Sequence, residues 1–236
     1  MNEPFASTID SKNSIIKQKI LGLCVNEGDF SIADISKEIG SSIPTITKLV
    51  GELIDEGFLD DMGKQDTGGG RRPSLYGLNP NAGYIVGVDI HKKSLSIAVT
   101  DFKGHNTYFK DGIDFILQSS ESSIDQMCAI IRQHTEKAGI NESKIRAYGF
   151  NITGRVNKEH GYCFEYFFGE GRTITDVLKE RLKKPVYVDN DSRAMTYGEY
   201  ICGVAGNESN MLFFNVTWGL GMGMITGGKL SYGKSG

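Results

Sequence analysis

At residue 84 the spacing of apolar side chains changes, and that change sets what this chain can fold into. Over 14–60, apolar residues recur at helical intervals. From 84 onward they come in short runs with the alternation of strands, broken by polar and glycine-rich turns. A chain of 236 residues with such a break is expected to divide into a helical domain over 1–80 and an α/β domain over 81–236.

The helical part holds three patterns. "SIIKQKILGLCVNEG" places Ile16, Ile20, Leu23 and Cys24 on one stripe and stops at Gly28. "SIADISKEIG" opens on Ser31 as an N-cap, turns Ile32, Ile35 and Ile39 inward, and closes on Gly40. "SSIPTITKLVGELIDEG" opens on Ser41 or Ser42 with Pro44 in its first turn. Its stripe is Ile46, Leu49, Val50, Leu53 and Ile54, and Gly57 ends it. Two extended runs follow, near Phe58–Met62 and Ser74–Leu78. Three helices with a short turn before the third, then a hairpin, make a winged helix-turn-helix.

Such a module presents the start of its third helix to a DNA major groove. Ser42, Thr45, Thr47 and Lys48 are the candidate contacts there. The hairpin tip reads "DTGGGRRP". No Lys-Ser/Thr or helix start follows these glycines, so it is no Walker A loop. Gly69 and Gly70 let backbone approach DNA closely, and Arg71 and Arg72 suit a phosphate or a narrow minor groove. Charge argues the other way: residues 1–80 carry eight Lys+Arg against twelve Asp+Glu, a balance of −4. A protein-binding module therefore remains an alternative for this part.

The second part reads as three strands, a helix over Glu121–Ala138, a strand over Ile145–Ile152, a helix near "TDVLKERLKK", the strand "PVYVDN", a helix over "DSRAMTYGEYICG" and a closing hairpin. This is a mixed sheet layered with helices. Glycine or acid groups cluster at strand ends, in "VDIHKKS", "NITGRV", "VDNDSR" and "TWGLGMG". Convergent turns of that kind suit a small-molecule cleft.

Composition narrows the classes. The net charge of −3 gives no global sign of nucleic acid or membrane, and no apolar run nears the roughly 20 residues of a membrane span. The N-terminus "MNEPFASTIDSKNS" is too polar for a signal peptide. Cys24, Cys128, Cys163 and Cys202 are scattered, so neither a disulfide framework nor a zinc site is expected. A cytoplasmic protein without metal or cofactor is the reading.

From about Ser14 to Gly236 the chain resembles the ROK family, which holds both sugar kinases and sugar-responsive repressors. The pieces that carry the resemblance are "ITKLVGELIDEGFL…GGGRRP", "VDNDSRAMTYGE" and "WGLGMGMITGGKL". It implies a winged helix-turn-helix followed by a mixed-sheet lobe of the actin/ribonuclease H-like fold, with the second lobe largely absent and the chain truncated at its C-terminus. It also implies a sugar or sugar-phosphate effector bound near Asn151, Gly154, Asn190 and Asp191, an operator of double-stranded DNA, and a homodimer or higher oligomer. Asp191 matches the general base of the kinase members, and Thr153 stands where they commonly have proline. Their Asp-x-Gly-Gly-Thr phosphate turn corresponds to Asp89-Ile90-His91-Lys92-Lys93, with both glycines replaced. Without glycine the backbone cannot approach an ATP phosphate closely. The resemblance thus points to a non-enzymatic repressor of carbohydrate metabolism; the alternative is an ATP-dependent sugar kinase with an added helix-turn-helix.

Overall fold

The computed structural model describes residues 12–64, 73–157, 160–166, 168, 171–205, 208–217 and 219–233. They form two compact units: the described residues of 12–82 with 101–105, and those of 83–100 with 106–233.

In the first unit, α1 (Lys12–Glu27), α2 (Ile32–Ile39) and α3 (Ile43–Asp55) pack around one core. Ile16, Ile20, Leu21 and Cys24 of α1 meet Ile35 of α2 and Ile46, Leu49, Val50 and Leu53 of α3. Leu21 takes the buried place that the periodicity gives to Leu23, which only borders the core. The helix ends follow local chemistry. Ser31 Oγ accepts from the Asp34 amide at 3.2 Å and Ser42 Oγ from the Thr45 amide at 3.4 Å, each satisfying a donor the helix cannot. Gly40 ends α2 at φ 70° and Gly57 follows α3 at φ 78°, the left-handed geometry glycine adopts without cost. Beyond Gly57 the Phe58 amide donates back to the Leu53 carbonyl at 2.9 Å, which swings Phe58 into the core. Strand β1 (Phe30–Ser31), β2 (Leu59–Lys64) and β3 (Ser74–Leu78) form an antiparallel sheet in the order β1-β3-β2. The two-residue β1 is too short to leave a periodicity signal.

The second unit is built on a five-stranded mixed sheet. Its strands are β4 (Tyr84–Ile90), β5 (Ser94–Asp101), β6 (Asn106–Asp114), β7 (Ile145–Ile152) and β10 (Val186–Asn190), in the order β10-β7-β4-β5-β6. β10, β7 and β4 run parallel, and β5 and β6 antiparallel. Helices α4 (Glu121–Lys137) and α5 (Ile174–Leu182) pack into the sheet's core through Ile124, Met127, Cys128, Ile131, Val177 and Leu178. Each fully buried side chain of this kind stabilises by roughly 1.5–3 kcal/mol. A small hairpin, β8 (Val156–Asn157) with β9 (Tyr162–Cys163), sits in what the sequence reads only as a turn-rich stretch.

Helix α6 (Asp191–Cys202) starts directly where β10 ends, and packs on a second sheet of β11 (Met211–Val216), β12 (Leu220–Thr226) and β13 (Lys229–Leu230). Here the glycines of "TWGLGMG" take a role other than the expected turn. Gly221 and Gly223 lie inside β12, where a Cβ would stand 2.0 Å from Ser192 Oγ and 1.8 Å from Thr196 Oγ1. Their bare backbone is what lets α6 come this close.

Candidate functional site

Register brings the predicted cleft residues of the second unit together. Asp89 of β4 and Asp189 of β10 both pair with Asn151 of β7, so three polar side chains stand in a row near the carboxyl ends of parallel strands. Ligands of open α/β sheets bind just beyond such ends. The loops leaving this row, 90–94, 153–155 and 190–193, line a cleft of about 1270 Å³ together with Glu165, Tyr166, residues 219–224 and 231–233. Gly154, Asn190 and Asp191 line it; Asn151 sits one row back and is not among the lining residues.

The polar groups of the cleft hold one another. Asn190 is the N-cap of α6: its Oδ1 accepts from the Arg193 amide at 3.0 Å, and its Nδ2 donates to the Gly154 carbonyl at 2.8 Å. One side chain thus fixes both the helix start and the 153–155 turn. Gly154 has φ 105°, and a Cβ there would lie 2.5 Å from the Glu165 carboxyl carbon. Glu165 accepts from the Arg155 amide at 3.1 Å, closing the same turn. Asp191 Oδ1 accepts from Asn190 Nδ2 at 2.9 Å and from the Ser192 amide at 2.6 Å; its Oδ2 accepts from the Thr153 hydroxyl at 2.9 Å. The carboxylate also sits in the first turn of α6, where the helix dipole favours negative charge.

Two further groups stand out. Arg193 is 7% exposed and donates to Asp189 Oδ1 from Nε at 2.7 Å and to the Val156 carbonyl from Nη2 at 2.6 Å. An ion pair of Arg193 with a carboxylate is open to sequence reading, and the i,i+4 spacing names Asp189 as the partner; the bond to the Val156 carbonyl, which makes Arg193 a buried strut between β10, β8 and α6, leaves no such signal. Asp89 is the opposite case. Its Oδ1 is buried with no hydrogen-bond partner among the described residues, while Oδ2 lies 3.5 Å from His91 Nε2. Burial holds its carboxyl above the usual carboxylate range, with the negative charges of Asp191 and Asp111 adding to the effect and His91 opposing it. His91, Lys92 and Lys93 are exposed at the cleft wall.

In the first unit the proposed DNA contacts gather at the start of α3. Ser42, Thr47 and Lys48 are exposed and Thr45 is half-buried. Ser42 Oγ lies 2.8 Å from Thr45 Oγ1 as well as capping the helix, and the Thr47 hydroxyl donates to the Ile43 carbonyl at 2.8 Å. The Lys48 side chain is 70% exposed, with Glu52 3.8 Å away. Glu52 and Glu56, part of the acidic excess, are paired with Lys17 of α1 at 2.8 and 2.6 Å. Gly69, Gly70, Arg71 and Arg72 lie outside the described residues. No described helix is long and apolar enough to cross a membrane, and no group of three metal-ligating side chains occurs among the described residues.

Comparison with known proteins places this architecture. The chain is similar to the xylose repressor of Caldicellulosiruptor bescii, 27% identical over 224 residues that cover 94% of this chain and 56% of the repressor. Among solved structures, a ROK family transcriptional regulator, a homologue of the Escherichia coli MLC protein, superposes with a TM-score of 0.76 at 21% identity, over 95% of this chain and 57% of that one. A ROK family glucokinase from Streptomyces griseus superposes with a TM-score of 0.55 at 25% identity, over 64% of this chain and 47% of the kinase. The chain therefore spans about half the length of the relatives it matches. The family model described as ROK matches residues 85–236, from the first strand of the sheet through the whole cleft, and the chain belongs to the ROK family.

Proposed function

We propose that this chain is the DNA-binding and effector-binding part of a sugar-responsive transcriptional repressor. The observation that carries the reading is a unit of three helices and a small antiparallel sheet, which we read as a winged helix-turn-helix, in one chain with a ROK domain. The domain alone serves kinases and regulators alike; a kinase has no use for a DNA-reading helix. The repressor name of its relatives supports the same side and makes xylose the first effector to try.

In this reading α3 enters the major groove of an operator, with Lys48 at a phosphate and Thr47 offering its methyl to base edges, and Arg71 and Arg72 reach the backbone or minor groove. A homodimer in the cytoplasm would read a two-fold operator. A neutral sugar binds at Gly154, Asn190 and Asp191 and, by its higher affinity for one of two forms, shifts the population away from the DNA-bound one. Kinase chemistry is disfavoured: the side chains of His91 and Lys92 stand in the turn where ATP phosphates need bare backbone.

Footprinting on the promoter beside the protein's own gene, with and without xylose, tests this. Operator affinity should fall steeply with salt, and Lys48→Ala should lower the slope of log K against log salt by about one. Asp191→Asn should abolish the sugar response and leave operator binding intact. Sugar-dependent ATP hydrolysis lost in Asp191→Asn would instead favour the kinase reading.

A further inference from the structure

The geometry points to Thr153 as a second ligand-contact residue, forming with Asp191 a pair of acceptors for two neighbouring hydroxyls of a neutral sugar. This rests on the proposed sugar-binding role of the cleft and adds a residue and a specificity rule to it. A threonine hydroxyl has one hydrogen and two acceptor lone pairs. Thr153 Oγ1 lies 2.9 Å from Asp191 Oδ2 and 3.4 Å from the Ile90 carbonyl. The shorter, charge-assisted partner takes the hydrogen. Both lone pairs of Oγ1 are then left to accept, and the residue lines the cleft.

Asp191 is asymmetric in the same way. Oδ1 is filled by three donors: Asn190 Nδ2 at 2.9 Å, the Ser192 amide at 2.6 Å and the Ser192 hydroxyl at 3.3 Å. Among the described residues Oδ2 has only Thr153. The cleft thus offers two acceptor oxygens 2.9 Å apart, about the spacing of gauche neighbouring hydroxyls on a sugar ring. A vicinal diol supplies the two donors this pair needs. A deoxy sugar leaves one acceptor unpaired, and a phosphate at this point would bring acceptors against acceptors. Proline at 153 would leave Asp191 Oδ2 without its hydroxyl neighbour; threonine turns a single acceptor into a pair.

The test is isothermal titration of the protein, and of its Thr153→Val and Thr153→Ser variants, with neutral aldoses led by D-xylose and then with the monodeoxy forms of whichever aldose binds. Thr153→Val should weaken the parent sugar about tenfold, the loss of one hydrogen bond, and Thr153→Ser should restore most of it. For one monodeoxy analogue the loss should disappear: wild type and Thr153→Val should bind it equally, because the hydroxyl that Thr153 accepts from is gone. If Thr153 only positions Asp191, Thr153→Val weakens the parent and every analogue by the same factor, and the inference is overturned. Equal affinity of wild type and Thr153→Val for the parent sugar overturns it too, while the cleft remains a sugar site. Absence of binding by wild type to every neutral aldose removes the sugar-binding reading itself.

Discussion

The two units use polar side chains in opposite ways. Among the described residues nine polar side chains are buried, and Ser31 alone of these belongs to the first unit. There the core is all hydrocarbon and sulfur, and the proposed contacts project from the outer face of α3. In the second unit Ser192, Arg193 and Thr196 are buried within one helix beside the cleft. The difference teaches where binding can be altered without touching the fold. A contact on a convex helix is separable from stability; one at a concave strand end is part of the packing that holds the strands.

Arg193→Ala is the strongest attempt to break that contrast. It removes the partner of Asp189 and leaves the Val156 carbonyl without its donor. Breaking a buried pair costs about 3–5 kcal/mol, and because Asp189 keeps a quarter of its side chain exposed the expectation is the low end, about 3 kcal/mol. Urea denaturation should show this, with the sugar response lost alongside. If Arg193→Ala abolished the response at unchanged stability, the cleft would be as separable as the helix face.

Ser42→Ala approaches from the other side, with an expected loss of about 1 kcal/mol for a helix cap. Ser42 is the one proposed DNA contact that also closes a helix end. Ser42→Asp separates its two roles. Aspartate caps as well as serine and suits the helix dipole, so stability should stay within a few tenths of a kcal/mol. Its charge would stand beside the phosphates, so operator affinity should fall. Unchanged affinity would move the DNA-reading surface away from the start of α3.

The same contrast governs what the sequence could disclose. The first unit is written in local rules: Ser31, Gly40, Ser42 and Gly57 cap or end helices through partners within five residues, and periodicity names the core positions of its helices apart from Leu21. In the second unit the strands and helices are legible, because β4 and β7 are apolar runs and α4 is amphipathic. The cleft is less so. Asn190 and Gly154 meet across 36 residues, and Thr153 and Asp191 across 38. Those partners depend on strand register, which no local pattern encodes. For that reason no local pattern shows that Asn151 stands behind the lining of the cleft, or that Gly221 and Gly223 are the floor under α6.

Asp89→Asn gives the smallest expected effect, and its sign is the informative part. The folded state holds this carboxyl above its ordinary range, chiefly through burial. Folding therefore favours the protonated form. The associated stability is full below the ordinary carboxylate pKa, about 4, and is lost as pH rises through the raised folded value. Ionisation places charge on a carboxylate whose Oδ1 is buried with no hydrogen-bond partner among the described residues. Asparagine removes the charge at nearly the same size. Asp89→Asn should melt slightly higher than wild type at pH 7, by less than Ser42→Ala lowers it, and the gap should close as pH falls toward 4. A variant less stable at pH 7 would mean that the ionised carboxylate is itself stabilising, through His91, and that the second unit gains from this buried charge as it does from Arg193.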